Sequence, residues 1–136
     1  MPSLDNMMLR QIIMDHYENP RNRELVEDDS YKKVNMDSET CIDNIDIQAK
    51  IENGVIEDIR FDGEACAICT SSTSIMTELL IGKTIDEARV IIENYMNMIF
   101  EKDYDPEILE EAIAFYNTHK QANRSKCATL GWKGIT

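Results

Sequence analysis

Four cysteines and one aspartate are the residues whose types and spacing suit metal binding. Cys41 and Asp43 are two residues apart, and residues i and i+2 of an extended chain point to the same side, so both can face one cation. Cys66 and Cys127 supply two further thiols. Three thiolates and one carboxylate satisfy tetrahedral zinc, with Zn–S bonds of about 2.3 Å. Iron in thiolate coordination is the alternative for the same four ligands.

A predicted hairpin brings Cys41 and Cys66 together. Apolar and polar residues alternate from Ile45 to Ile51, the pattern of a half-buried strand. Asn53-Gly54 follows, which is a strong signal for a tight hairpin turn, and residues 55–61 return as the second strand. Because a hairpin returns the chain to where it began, we expect Cys41, just before the first strand, to lie close to Cys66, after the second.

The predicted surroundings of two cysteines favour thiolate over thiol. Cys66 is expected to open a helix, whose N-terminus carries partial positive charge and unpaired N–H groups. Cys127 is expected to open the last helix, and Arg124 and Lys126 precede it with positive charges. The alternatives are plainer: a cysteine can be a small buried hydrophobe, Asp43 a turn residue or cap, and the two cations a solvated helix entry.

Cys69 adds a second pattern, because Cys66-Ala67-Ile68-Cys69 matches a CxxC motif. Such a motif is a redox pair or half of a zinc site. The sequence offers no second CxxC and no βαβ context, so a thioredoxin-like function is disfavoured. We expect Cys69 to pack within the helix, with participation in the metal site as the alternative. His16 and His119 lie outside this set and are interpreted as ordinary residues.

The order of the predicted helices and strands indicates an α+β fold. In this fold a small antiparallel sheet of about three strands packs against several helices. The length suits a single domain over residues 1–136. The predicted elements are a helix over 4–17 with Asp5 as its cap, a short strand near 31–36, the hairpin, a helix over 66–81 ended at Gly82, a helix opened by a Thr84/Glu87 capping box, a helix opened by Asp105-Pro106, and the last helix from Cys127.

Composition and charge bound the location and the partners. The net charge of −12 disfavours nucleic acid and anionic membranes as partners. It suits either a protein partner with a basic docking patch or plain solubility. The sequence shows no secretory signal and no apolar stretch long enough to cross a bilayer. These features predict the reducing cytoplasm, where cysteines bind metal or do chemistry rather than form structural disulfides.

The motifs together resemble the IscU/NifU N-terminal family of iron–sulfur cluster assembly proteins, most closely its SufU branch. The similar segments are IIMDHYENPRN, TCIDN in place of the family's Cys-Gly-Asp motif, IEDIRFDGEACAICTSSTSIMTELLIGK and KCATLGWKGI. The SufU branch is indicated by the long stretch between Cys66 and Cys127, by Lys126 where the IscU branch has histidine, and by the missing proline-rich segment before Cys127.

The resemblance implies zinc bound by Cys41, Asp43, Cys66 and Cys127, and a zinc-dependent sulfurtransferase that accepts persulfide sulfur from a PLP-dependent, SufS-like cysteine desulfurase. By the same resemblance Cys41 takes the sulfur and Arg124 assists the exchange, and Lys126 is a candidate auxiliary residue. The alternative is a scaffold that binds iron or a transient [2Fe–2S] cluster through the same residues and works with other cluster-assembly proteins. A purely structural zinc domain is a third possibility.

Three positions depart from the family pattern. Ile42 replaces the glycine of Cys-Gly-Asp, and Ala65 replaces the glycine before the second cysteine. Cys69 stands where the family has serine or another small residue. These departures concern the detail of the site rather than the fold.

Overall fold

A three-stranded antiparallel sheet follows one N-terminal helix and precedes the remaining helices. The computed structural model describes residues 6–37, 44–115 and 122–133. The elements are α1 (Asn6–Glu18), β1 (Lys32–Asp37), β2 (Asn44–Glu52), β3 (Val55–Glu64), α2 (Ala67–Leu80), α3 (Ile85–Ile99), a 3-10 segment (Pro106–Phe115) and α4 (Ala122–Lys133). Among these residues no helix is long and apolar enough to cross a membrane. The α+β prediction is confirmed.

The predicted hairpin is present, with strand order β1-β2-β3. Glu52 pairs with Val55 across a two-residue loop, in which Asn53 and Gly54 have φ angles of 53° and 76°. Two successive positive φ angles define the type I′ turn, whose twist matches that of the flanking strands. The short strand expected near residues 31–36 is also confirmed, as β1.

The predicted alternation of buried and exposed side chains fails at two positions of β2, because the polar Gln48 is buried and Ile51 is exposed. Ile45 and Ile47 are buried, but Ile51 is 42% exposed. Ile51 pairs with the buried Ile56 and so shares its face, but it lies beside the hairpin turn, one residue before the last pair of β2 and β3. The core beneath the sheet is formed instead by residues on the far part of β2 and on β3, namely Ile45, Ile47, Ile56, Ile59 and Phe61.

Local capping signals set the ends of α2 and α3 as predicted. Cys66 is the N-cap of α2, and Gly82, with φ +91°, follows the C-cap Ile81. The Thr84 side chain accepts the Glu87 N–H at 3.1 Å, and the Glu87 carboxylate accepts the Thr84 N–H at 3.1 Å. The capping box is therefore complete. Asp5, the expected cap of α1, lies outside the described residues.

Two helix predictions need correction. Cys127 does not open the last helix, because α4 begins at Ala122. Residues 122–127 contain no proline or glycine, so nothing in them prevents the helix from starting earlier. The helix predicted after Asp105 is a 3-10 segment that is interrupted at Glu110, where φ is +46°. The Asp105 carboxylate nevertheless caps it by accepting the Glu107 N–H at 3.0 Å.

Candidate metal centre

The junction between β3 and α2 positions Cys66. Its backbone is extended, with φ −69° and ψ 170°, and its sulfur accepts the backbone N–H of Cys69 at 3.4 Å. The side chain is half-buried. The first N–H groups of a helix have no partner within the helix, and they stabilise negative charge at its N-cap. Cys66 therefore opens α2 as the sequence predicted, with its sulfur at the helix N-terminus.

The register of the hairpin places the far ends of β2 and β3 beside Cys66. Asn44, the first residue of β2, pairs with Glu64, the last residue of β3. Asp43 directly precedes Asn44 in the sequence, and Cys66 follows Glu64 by two residues. Cys41 and Asp43 themselves lie outside the described residues, so their place in the site stays a prediction.

Gly63 allows the two strands to approach closely at this end. Its φ is +136°, and a Cβ added there would lie 2.3 Å from the carbonyl oxygen of Asn44. L-residues rarely adopt such a φ, and no real Cβ approaches a backbone atom so closely. The backbone that leads from β2 toward Asp43 therefore depends on a glycine in β3.

Buried hydrogen bonds hold α4 against α2 and α3 at the residue that follows Cys127. The carbonyl oxygen of Ala128 accepts the Ser72 hydroxyl at 2.5 Å and the Tyr95 hydroxyl at 2.7 Å. The indole N–H of Trp132 donates to Ser72 Oγ at 2.9 Å. The α4 backbone beside Cys127 is thus fixed to the helix that Cys66 opens.

The side chains of three predicted site residues on α4 fall outside the described part of the structure. They are Cys127, Arg124 and Lys126, whose backbones lie within α4. Their roles as ligand, catalytic assistant and auxiliary residue therefore stay predictions. The structure brings their helix to α2, but it does not describe a contact between their side chains and Cys66.

Tyr95 is one of the two side chains that donate a hydrogen bond to the Ala128 carbonyl oxygen. It is fully buried, and its ring stacks on Trp132 with the ring centroids 3.8 Å apart and the planes 6° from parallel. Burial strongly raises the pKa of Tyr95, more than the hydrogen bond with Ser72 lowers it. The hydroxyl therefore stays protonated and donates to Ala128 throughout the physiological range.

Tyr95→Phe is expected to lower the free energy of unfolding by about 1 kcal/mol, because Ala128 loses one of two donors while the stacked ring remains. Urea unfolding of the purified protein measures the change. Tyr17→Phe is the matched control, since Tyr17 is 44% exposed, and we expect it to change stability by less than about 0.5 kcal/mol. Equal effects of both substitutions would contradict a structural role for the Tyr95 hydroxyl.

Cys69 differs from Cys66 in its surroundings. None of its surface is exposed, and it belongs to the apolar core. It is also the third residue of α2, and its backbone N–H donates to the Cys66 sulfur.

The described part of the site fits a zinc ion. Cys66 offers a half-buried sulfur that is not in a disulfide and that accepts a hydrogen bond from the Cys69 N–H. Thiolate sulfur is the donor that zinc prefers in four-coordinate protein sites. One thiol does not complete a site, and the remaining donors would come from the chain before β2 and from α4.

A second cluster, composed of His16, Glu78 and Glu111, was not found from the sequence. One nitrogen or oxygen atom of each lies within 4.8 Å of the others. His16 is fully buried, and its Nδ1 lies 2.8 Å from Ser74 Oγ. The Arg21 guanidinium lies 3.1 Å from the Glu78 carboxylate and so supplies positive charge to the cluster. We interpret it as a polar network that joins α1, α2 and the 3-10 segment.

No sequence spacing could have revealed this network. Its three members belong to three separate elements, and each is ordinary within its own element: His16 ends an amphipathic helix, and the two glutamates are partly exposed. The fully buried position of His16 depends on how the helices pack, which a local pattern does not show.

The sequence matches one known protein family and is similar to proteins of iron–sulfur cluster assembly. Residues 8–128 match the family described as NifU-like N terminal domain, a range that includes all four predicted ligands. The chain is 39% identical over 129 residues to the zinc-dependent sulfurtransferase SufU of Bacillus subtilis (strain 168), covering 94% of this chain and 86% of that protein. It is 30% identical over 131 residues to the iron–sulfur cluster assembly scaffold protein IscU of Streptococcus pyogenes serotype M1, covering 96% and 81%.

A solved structure is similar in fold over nearly the same range. The crystal structure of a protein described as an iron–sulfur cluster assembly scaffold for the SUF system, from the thermophile Fervidobacterium islandicum AW-1, superposes with a TM-score of 0.84. The two sequences are 30% identical, and the match covers 92% of this chain and 91% of the other.

Proposed function

This chain belongs to the NifU-like N-terminal domain family, and we propose that within it the protein is a zinc-dependent sulfurtransferase of iron–sulfur cluster assembly. The observation that carries the proposal is the half-buried Cys66 sulfur at the N-terminus of α2, beside the strand end that leads to Asp43 and Cys41. The similarity to a zinc-dependent sulfurtransferase over 94% of the chain supports the same function.

The proposed zinc ligands are Cys41, Asp43, Cys66 and Cys127. When bound, zinc supplies a positive charge that keeps the coordinating thiols deprotonated. The protein itself contributes the helix N-terminus at Cys66 and the hydrogen-bonded attachment of α4 at Ala128.

The proposed reaction is thiol exchange with a persulfide carried by a PLP-dependent cysteine desulfurase. The Cys41 thiolate attacks the terminal sulfur of the persulfide, a new S–S bond forms on Cys41, and the desulfurase cysteine leaves as a thiolate. Sulfur is transferred without net oxidation or reduction. The proposed role of Arg124, with Lys126 as an auxiliary, is to stabilise the anionic sulfur by charge-assisted hydrogen bonds.

A second candidate function is a scaffold for a nascent [2Fe–2S] cluster held by the same residues. The similarity to the scaffold protein IscU of Streptococcus pyogenes favours it. Cysteine thiolates ligate iron–sulfur clusters as readily as zinc, so the ligand types alone do not separate the two functions.

The partners and location complete the proposal. The desulfurase is proposed to be SufS-like, and other cluster-assembly proteins are proposed to receive the sulfur or the cluster. A protein with a net charge of −12 would bind most readily to a basic docking surface on such partners. The proposed location is the cytoplasm, because a reducing compartment keeps the four thiols available.

The test is cysteine turnover by the cognate desulfurase, measured with and without the zinc-loaded protein and with minimal added thiol. A sulfurtransferase is expected to raise the turnover several-fold, because it removes the persulfide that would otherwise block the next cycle. The protein treated with a chelator should give no rise. If turnover does not change, and the protein instead assembles a coloured cluster from iron and sulfide, the scaffold function is correct and the transfer function is wrong.

A further inference from the structure

We propose that Cys66 and Cys69 are an oxidisable dithiol, which closes into a disulfide at the N-terminus of α2 when a peroxide oxidises Cys66. The proposed disulfide is a modification site, and it requires only the two cysteines and their positions at the start of α2.

The backbone geometry suits the bond. Cys66 is the N-cap of α2 and Cys69 is the third residue of the helix. The backbone of Cys66 is extended, with φ −69° and ψ 170°, so its side chain folds over the first turn of α2 rather than continuing the helical spacing. The Cys66 sulfur already points back toward the third residue, since it accepts the Cys69 N–H at 3.4 Å. A rotation of the Cys69 side chain, with a small adjustment of the first turn, brings the sulfurs together.

The two thiols differ in access, which assigns their roles. Cys66 is half-buried and can meet a small oxidant, whereas Cys69 has no exposed surface. Cys66 is therefore the thiol that is oxidised first, and Cys69 is the inner thiol that resolves it.

The chemistry balances with hydrogen peroxide as the only co-reactant. The Cys66 thiolate attacks one peroxide oxygen, which breaks the O–O bond, releases hydroxide and gives a sulfenic acid. The Cys69 sulfur then attacks the sulfenic sulfur, the S–S bond forms, and water leaves with the Cys69 proton. Peroxide is reduced by two electrons, which the two thiols supply. A dithiol such as dithiothreitol reverses the product by exchange.

The consequence for metal binding rests on the proposed function. A sulfur in a disulfide has no thiolate charge to give to zinc, so closure of the Cys66–Cys69 bond would remove one of the four proposed ligands. Oxidation would then release the metal and stop sulfur transfer until the disulfide is reduced. Under the same proposal, bound zinc slows oxidation by sharing the Cys66 thiolate.

The sequence makes the test direct, because trypsin cleaves after Arg60 and Lys83 and leaves both cysteines in one peptide, residues 61–83. That peptide contains no other cysteine.

The full-length protein is treated with hydrogen peroxide, remaining thiols are blocked with iodoacetamide, and the digest is analysed by mass spectrometry. We expect peptide 61–83 without alkylation and lighter by two hydrogens, restored to two alkylated thiols by dithiothreitol. Cross-linked peptides joining Cys66 to another cysteine, or alkylated Cys69 throughout, would overturn the proposal.

The variant Cys69→Ser distinguishes formation of the Cys66–Cys69 disulfide from oxidation of Cys66 alone. In this variant the loss of two hydrogens from peptide 61–83 should disappear, and Cys66 should gain oxygen instead. Cys127→Ser is the matched control when both proteins are first freed of zinc with a chelator, since it removes a cysteine from a different peptide and should then leave the disulfide unchanged. If either variant fails to fold by circular dichroism, the wild-type peptide map alone decides the outcome.

Zinc release, followed with a chromogenic chelator during oxidation of the zinc-loaded protein, distinguishes this proposal from the proposed function. A disulfide within residues 61–83 without zinc release supports the dithiol and contradicts Cys66 as a zinc ligand. Zinc release without that disulfide overturns the dithiol and leaves the metal site intact as a proposal.

Discussion

Replacing Cys41 with alanine is expected to abolish the transfer of persulfide sulfur to the protein. Alanine has no nucleophile, whereas the proposed transfer requires a thiolate at position 41 to form the new S–S bond. The hairpin register supports the choice of Cys41. Asn44 pairs with Glu64 at the strand end beside Cys66, and Cys41 lies shortly before Asn44 in the sequence, so we expect it near the same strand end. The measurements are desulfurase turnover, which should fall to the level without this protein, and the mass of one added sulfur on the intact chain, which should be missing.

Cys69→Ala is the matched control for this loss, since it also removes a thiol but from the apolar core. Under reducing conditions we expect it to keep the stimulation of turnover, with a stability cost of about 1 kcal/mol for the missing buried sulfur. A Cys41→Ala protein that acquires sulfur at the normal rate would show that another thiol is the acceptor. Cys66 would be the first to examine, because its half-buried sulfur is already at the helix N-terminus.

The parts of the structure that could be predicted from sequence are those that local chemistry decides. Asn53-Gly54 is among the few dipeptides that readily adopt two positive φ angles in succession, so it specified the turn and with it the register of β2 and β3. Thr84 and Glu87 satisfy each other's backbone N–H groups without help from the rest of the chain. The position of Cys66 at the start of α2 follows from the same kind of signal.

The features that sequence did not predict depend on contacts between distant elements. The start of α4 at Ala122 could not be located, because residues 122–127 suit a helix without requiring one. The attachment of Ala128 to Ser72 and Tyr95 joins three helices that no spacing relates. Likewise, the alternation pattern does not show that Ile51 is exposed at the turn end of the hairpin, although it pairs with the buried Ile56.

Gly63→Ala is expected to lower the free energy of unfolding by about 3 kcal/mol or more, measured by urea unfolding. Two separate causes add. A non-glycine residue at φ +136° is strained, at a cost of order 1–3 kcal/mol, and the new Cβ would lie 2.3 Å from the Asn44 carbonyl oxygen. That oxygen belongs to the backbone, so the conflict can be relieved only if the start of β2 moves away from β3.

Gly54→Ala measures the first cause alone, the backbone strain, because Gly54 also has a positive φ, at +76°, but no atom lies within 4 Å of the added Cβ. We expect it to cost only about 1–2 kcal/mol. Asn44 directly follows Asp43, so the displaced strand in Gly63→Ala should also weaken zinc binding, whereas Gly54→Ala, at the opposite end of the hairpin, should not. Equal zinc affinities in two folded variants would mean that the strand end beside Cys66 does not set the geometry of the metal site. A selective loss in Gly63→Ala would show that one glycine contact in β3 couples the hairpin register to metal binding.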